Sequence, residues 1–358
     1  MSLVNAHNAH NAHNAHNAHN AHNAHNAHAG SGGASGVDPG TLAQALIVAH
    51  DALAPMGEVK VHEPQAPTLD HAARLRRIEF PFAVSALLSE LGEGLTVTAG
   101  PDAFAISARG GDLVRITPPT PDNLKSEAQL VAGYAELRAE RLTEVLAQSQ
   151  HIHPFFSAVL PMVPAWTPSL VLLIAVTEEL ATAMVQRAKL GFGLPRPHVL
   201  SPDILPMIAC PGHSSFPSGH AAQSFAVAGV LSALTGKTSP DINNPLDQMA
   251  ARIAVNRTVA GLHYPCDSAA GAVLGIAVAR WVLARAGAAS GAGQVSLDAE
   301  GWVGDAPDAT RDFHLPALLK VWDAKHHLKQ GKTLQVGKAP MLASLWTEVT
   351  REWGERWG

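Results

Sequence analysis

Three long apolar runs in the second half of the chain limit its fold more than any other feature: "WTPSLVLLIAVTEELATAMVQRAKL" (166–190), "AAQSFAVAGVLSALTG" (221–236) and "SAAGAVLGIAVARWVLARAG" (268–287). Helices that are apolar on nearly every side need either lipid or other protein elements around them. A bilayer span needs about 18 to 20 apolar residues almost free of charge. Glu178, Glu179 and Arg187 fall inside the first run, Lys237 closes the second, and Arg280 and Arg285 break the third. The runs therefore read as helices buried among helices, with no integral membrane span. The expected molecule is soluble: cytoplasmic, or periplasmic or secreted if a leader has been removed. At 358 residues and 47% apolar, the chain has ample material for such a core.

The remaining segments divide around this core. Eight copies of Asn-Ala-His from Asn5 to His28, followed by "AGSGGASG", have no apolar face. Residues 1–38 read as a disordered tag and flexible linker and are excluded from fold reasoning. Residues 39–120 are mixed, with helical pieces at "TLAQALIVAHDALA" and "FPFAVSALLSELG". A small β-hairpin is expected from the alternation in "LTVTAG" and "AFAISARGGDLVRITPP". Residues 121–288 form the helical bundle, opening with the amphipathic "NLKSEAQLVAGYAELRAERLTEVLAQ". Helices are expected at 168–190, 219–236, 246–262, 267–286, 313–329 and 339–353. Residues 289–312 read as a loop-rich linker, and 313–358 as a C-terminal helical appendage. The fold class is mainly α. With 25 Lys and Arg against 30 Asp and Glu and no basic block, nothing points to nucleic acid. Cys210 and Cys266 are too few for a disulfide framework and read as reduced thiols.

Three polar blocks interrupt the core, each at a helix end: "KLGFGLPRP" with Lys189 and Arg196; "PGHSSFPSGH" with His213, Ser218, Gly219 and His220; and "NRTVAGLHYPCD" with Arg257, His263 and Asp267. Taken alone, Pro-Ser-Gly-His is either an ordinary helix start or a helix N-terminus used to hold an anion. Gathered together, Lys189, Arg196 and Arg257 would repel one another in a dry site unless a polyanion sat between them. Guanidinium forks suit tetrahedral oxyanions, and the Ser218 hydroxyl and Gly219 amide add neutral donors. Asp267 can accept the Nδ1 proton of His263 and leave Nε2 for an electrophile or metal, with His220 as a separate acid or base. The alternating histidines of "HIHPFF" (151–156) lack further ligands at a recognisable spacing, and His198 reads as a loop residue.

In this order Lys-x6-Arg-Pro, Pro-Ser-Gly-His and Arg-x5-His-x3-Asp resemble the signature of the superfamily that unites type 2 phosphatidic acid phosphatases, bacterial class A acid phosphatases and vanadium-dependent haloperoxidases. The resemblance covers Lys189 to Asp267, about a fifth of the chain. It implies a helical bundle of the acid phosphatase/vanadium haloperoxidase type, compatible with a homo-oligomer. It also implies that the helix beginning at Pro-Ser-Gly-His holds an oxyanion. One departure is visible: Asn256 precedes Arg257 where the family usually has Ser.

Two chemistries follow from the resemblance. As a haloperoxidase the chain would hold vanadate as cofactor, with His263 as the vanadium ligand, and would oxidise halide with hydrogen peroxide. Lys189, His220 and Asp267 would then be catalytic, with Lys189, Arg196, Ser218, Gly219 and Arg257 binding the oxyanion. His213 stands where bromide-selective members have an additional histidine and would modulate the halide site. As a soluble phosphatase it would hydrolyse a phosphomonoester through a phosphohistidine at His263, without cofactor. The segment "PGHSSFPSGHA" resembles the haloperoxidase branch. The short gap from Pro197 to Pro217 and the thiols beside the motifs favour the phosphatase.

Overall fold

A computed structural model describes residues 39–53, 62–63, 68–302, 311–324 and 327–356. The tag and linker expected over 1–38 lie outside them. In chain order the elements begin with α1 (Pro39–Leu53), α2 (His71–Leu75), α3 (Phe80–Gly92), β1 (Thr96–Ala99), β2 (Phe104–Ala108) and β3 (Gly111–Thr117). Next come α4 (Pro121–Gly133), a 3-10 turn at Tyr134–Leu137, α5 (Arg138–Gln150), α6 (His153–Ser157), α7 (Pro168–Phe192) and α8 (Pro197–Leu200). The last group is α9 (Gly219–Leu234), α10 (Pro245–Val259), α11 (Pro265–Ala286), β4 (Ala292–Asp298), α12 (Leu315–Ala324), β5 (Leu328–Leu334) and α13 (Pro340–Glu355). The molecule is thus mainly α with a small sheet, as the sequence leads one to expect.

Helices α4, α7, α10 and α11 open with proline in the first turn, where the missing N–H would have had no intrahelical acceptor. Nearly every side chain of α11 is buried, so it forms the axis of the bundle, with α9 along it and α7 and α10 beside α9. Its contact with α9 depends on glycine. A Cβ at Gly271 would collide with the Ser218 carbonyl oxygen, and one at Gly275 with that of Ala222. The backbone that starts α9 is therefore seated directly on α11. Two helical stretches, Pro168–Leu200 and Pro265–Ala286, are long and apolar enough to cross a membrane by length and composition. Of their most apolar windows, 67% and 89% are buried inside the molecule.

The sheet departs from expectation. Instead of an isolated hairpin there are five strands in the order β1-β2-β3-β4-β5, antiparallel except for a parallel β3–β4 pair with Val114 opposite Val295. Segment 289–312, expected to be a loop-rich linker, contributes β4. The helix expected over 313–329 stops at Ala324, because Leu328–Leu334 pairs with β4 as an edge strand. The C-terminal part is not an appendage either. Helix α13 packs on α2, α3, α7 and α11, and buried Glu352 accepts the Ser169 amide (2.9 Å) at the start of α7. Those otherwise unpaired N–H groups make a carboxylate favourable there.

Candidate functional site

Five helix ends meet at one point. Lys189 lies in the last turn of α7, which Gly193 terminates in the left-handed conformation (φ 64°), turning the chain toward Arg196 at the start of α8. Ser218 is the N-cap of α9, so Gly219 and His220 occupy its first turn, at the positive end of the helix dipole. Arg257 sits in the last turn of α10. Gly261 (φ 72°) then reverses the chain, and His263 is delivered just before α11, whose first turn contains Asp267. The Ser218 amide donates to the Asp267 carbonyl (2.8 Å), joining the starts of α9 and α11.

Between these ends lies a cavity of about 50 Å³ whose walls include Lys189, Arg196, His213, Gly219, His220, Arg257 and His263. A single water needs roughly 10–15 Å³ measured this way, so the space admits several oxygen-sized groups, the size class of a tetrahedral oxyanion. Ser218 and Asp267 stand behind this wall and are fully buried. All nine residues singled out in the sequence therefore converge, though 78 positions separate the first from the last.

The cations differ in how they are held. Lys189 Nζ donates to the carbonyls of Ser214 (2.7 Å) and Ser215 (2.5 Å). Arg196 donates to the carbonyls of Leu262 (2.9 Å) and His213 (3.2 Å), and its Nη2 lies 3.2 Å from His213 Nδ1. Arg257, only 1% exposed, donates from Nη2 to the Val145 carbonyl (3.1 Å), while its buried Nε and Nη1 have no partner. Burial pushes Lys189 well below the usual lysine value, with Arg196 adding to the effect, and lowers Arg196 as well. Burial alone pushes Arg257 down to about 10. Positive charge crowded into a dry cavity is costly until an anion joins it.

His263 Nδ1 lies 2.8 Å from Asp267 Oδ2, which also accepts the Tyr264 amide (3.1 Å) and the Ser215 hydroxyl. That arrangement fixes the ring and leaves Nε2 as the nitrogen offered to the cavity. Burial, then the charges of Arg196 and Lys189, hold His263 well below the usual histidine value. Burial pushes Asp267 up to about 7, against the Ser215 hydrogen bond, the Lys189 charge and the Tyr264 amide. Across the cavity His220 Nε2 meets the Gln148 carbonyl at 3.1 Å.

Several contributors were not evident from the sequence. Ser215 supports Asp267 through its hydroxyl and Lys189 through its carbonyl. Thr182 and Gln186 line the cavity beside Lys189, and Gln223 lines it from α9, donating to the Thr182 hydroxyl (2.8 Å). The 182, 186, 189 spacing places three polar groups on one face of the helix, a signal present in the sequence. Glu127, fully buried, accepts the Cys266 amide (2.9 Å) and Arg311 Nε (2.7 Å), thereby capping α11. His153 pairs with Glu178 (3.0 Å), and no group of three or more metal-ligating side chains occurs among the described residues. Both cysteines are free. Cys266 is buried, and the part-exposed Cys210 lies 3.4 Å from His198 Nδ1.

Residues 168–289 match the family model described as the PAP2 superfamily. No curated protein matches the chain. Among solved structures the chain is similar to one described as the first bacterial vanadium-dependent iodoperoxidase, at 16% identity and a TM-score of 0.29. The similarity covers 63% of this chain and spans about half, 52%, of that one.

Proposed function

Residues 168–289 being a PAP2 superfamily domain, we propose that the cavity binds a tetrahedral oxyanion and that the protein is a vanadate-dependent haloperoxidase. One observation carries the oxyanion reading. Arg257 buries a guanidinium with two unpartnered nitrogens on the wall of a cavity that already holds Lys189 and Arg196. Among the described residues nothing partners those nitrogens, and an oxyanion in the cavity would accept from them. The donors fit vanadate: Lys189, Arg196, Arg257 and the Gly219 amide for its oxygens, and His263 Nε2 for the metal, while the Ser218 hydroxyl, behind the wall, caps α9. Bound there, vanadate would supply Lewis-acid activation of hydrogen peroxide toward halide. Asp267 and Ser215 keep His263 oriented, and His220 moves a proton at the opposite wall. His213 supports this branch, standing on the cavity wall against the Arg196 guanidinium.

A second reading is favoured by Cys210. A part-exposed thiol in the loop between Arg196 and His213 is an oxidation risk beside peroxide chemistry. In a phosphomonoesterase, His263 Nε2 attacks phosphorus and His220 gives a proton to the departing alkoxide. Water, deprotonated by His220, then cleaves the phosphohistidine to inorganic phosphate. A paired assay on one anion-stripped preparation separates the two. The expected result is bromide- or iodide-dependent halogenation of monochlorodimedone after vanadate loading, abolished by His263→Ala. Hydrolysis of p-nitrophenyl phosphate, inhibited by vanadate and unaccompanied by halogenation at any halide, replaces this reading with the phosphatase.

A further inference from the structure

The PAP2 domain begins at residue 168, yet two of its cavity residues are held from outside it, by the end of α5. The last carbonyls of a helix have no intrahelical partner, and that of Gln148 receives His220 Nε2 at 3.1 Å. A carbonyl only accepts, so Nε2 carries the hydrogen, and exchange of a proton with a group in the cavity falls to Nδ1. Three residues earlier on the same face, the Val145 carbonyl receives Arg257 Nη2 at 3.1 Å. The end of α5 therefore fixes both the oxyanion guanidinium and the second histidine.

This helix end is itself clamped by Asn256, which has no exposed surface. Its Nδ2 donates to Gln148 Oε1 (2.9 Å) and Glu144 Oε2 (3.0 Å), and its Oδ1 accepts Arg141 Nη1 (3.2 Å). The Glu144 carboxylate and the Arg141 guanidinium together allow one orientation of the amide. Glu144 is also bound by Arg252 on α10. We propose that Asn256 is a positioning residue, clamping the end of α5 so that the Gln148 carbonyl holds His220 in its Nε2–H form with Nδ1 toward the reacting group. This accounts for the departure from Ser at that position: one hydroxyl cannot replace two amide hydrogens and a carbonyl oxygen spanning three residues of α5. The inference rests on the reading of His220 as the acid or base of the proposed function.

A double-mutant cycle in whichever assay the wild type supports tests it. Asn256→Ala is expected to lower kcat about ten- to hundredfold, at or below the lower end of what an acid–base group contributes, because the group is misplaced and not removed. In a His220→Ala background it should remove clearly less, because the share of its effect that runs through His220 is already lost and only the share through Arg257 remains. Equal losses in both backgrounds would overturn the assignment, since a merely structural residue gives additive effects. Independently of turnover, 15N NMR of histidine-labelled protein should find His220 as the Nε2–H tautomer in the wild type and as a mixture in Asn256→Ala. An Nδ1–H tautomer in the wild type overturns the proposal whatever reaction the protein catalyses. Absence of both activities with the Nε2–H tautomer present overturns the proposed function and leaves this clamp standing. If Asn256→Ala does not fold, Gln148→Ala removes the same side-chain bond while keeping the carbonyl, and the same two readouts decide.

Discussion

Arg257 illustrates how a single side chain can be destabilising and functional at once. Its buried charge, with two of the three guanidinium nitrogens unpartnered, costs the anion-free protein stability, because a desolvated charge that no counter-ion meets is unfavourable. Arg257→Met is therefore expected to raise the Tm of anion-free protein. It should also abolish the rise that phosphate or vanadate produces in the wild type, which at a hundredfold excess over Kd amounts to about 2.7 kcal/mol. Thermal denaturation with and without the anion checks both halves. His263 yields a pH prediction. Its folded pKa is depressed below the ordinary 6.5, so below pH 6.5 the unfolded chain binds a proton that the folded chain refuses. The associated stability is complete above that value and is lost as pH falls toward the folded one. Between pH 7.5 and 5.5 proton uptake by Asp267 acts in the opposite sense, so the His263 share is read as the difference in the pH dependence of anion-free Tm between wild type and His263→Ala. At this scale the nine motif residues were legible because their types and spacing are chemically unusual. Ser215 was not, because nothing local distinguishes it from Ser214; only folding brings its hydroxyl to Asp267.

Among elements, the seating of α9 on α11 matters most, since it sets where Gly219 presents its amide and His220 its ring. Adding a methyl at Gly275 forces α11 away from the Ala222 carbonyl. Gly275→Ala is expected to cost about 1–3 kcal/mol, as overpacking does, and to weaken oxyanion binding by displacing the start of α9. Chemical denaturation and phosphate titration by calorimetry read the two effects, and an unchanged affinity would show that the start of α9 tolerates the shift. The helices of the bundle were readable because their signals are local. Pro168 and Gly219 open helices expected from those residues, and the ends differ by two residues. Strands β4 and β5 were not readable. "LKQGKTL" has five successive exposed positions, four polar residues and a glycine, with no alternation of its own, and becomes a strand only by hydrogen bonding to β4. Its conformation is imposed by a partner, not by its composition.

For the molecule as a whole, the C-terminal part closes the structure around the site. Arg311 and Glu127 form a buried pair (2.7 Å) joining the segment after β4 to α4 and, through the Cys266 amide, to the start of α11. Arg311→Met would leave Glu127 buried without its counter-charge, and a loss of about 3–5 kcal/mol is expected, measurable as a lowered urea midpoint. The register of the sheet also has a bearing on biosynthesis. Val114 on β3 awaits Val295 on β4, 181 residues later. At about 5–20 residues per second a ribosome needs roughly 10–40 s to supply that strand. Throughout that interval one edge of the nascent hairpin is open to any other extended chain it meets. Translation speed and holding chaperones thus bear on the yield of this protein more than on that of a bundle whose contacts are all between neighbours.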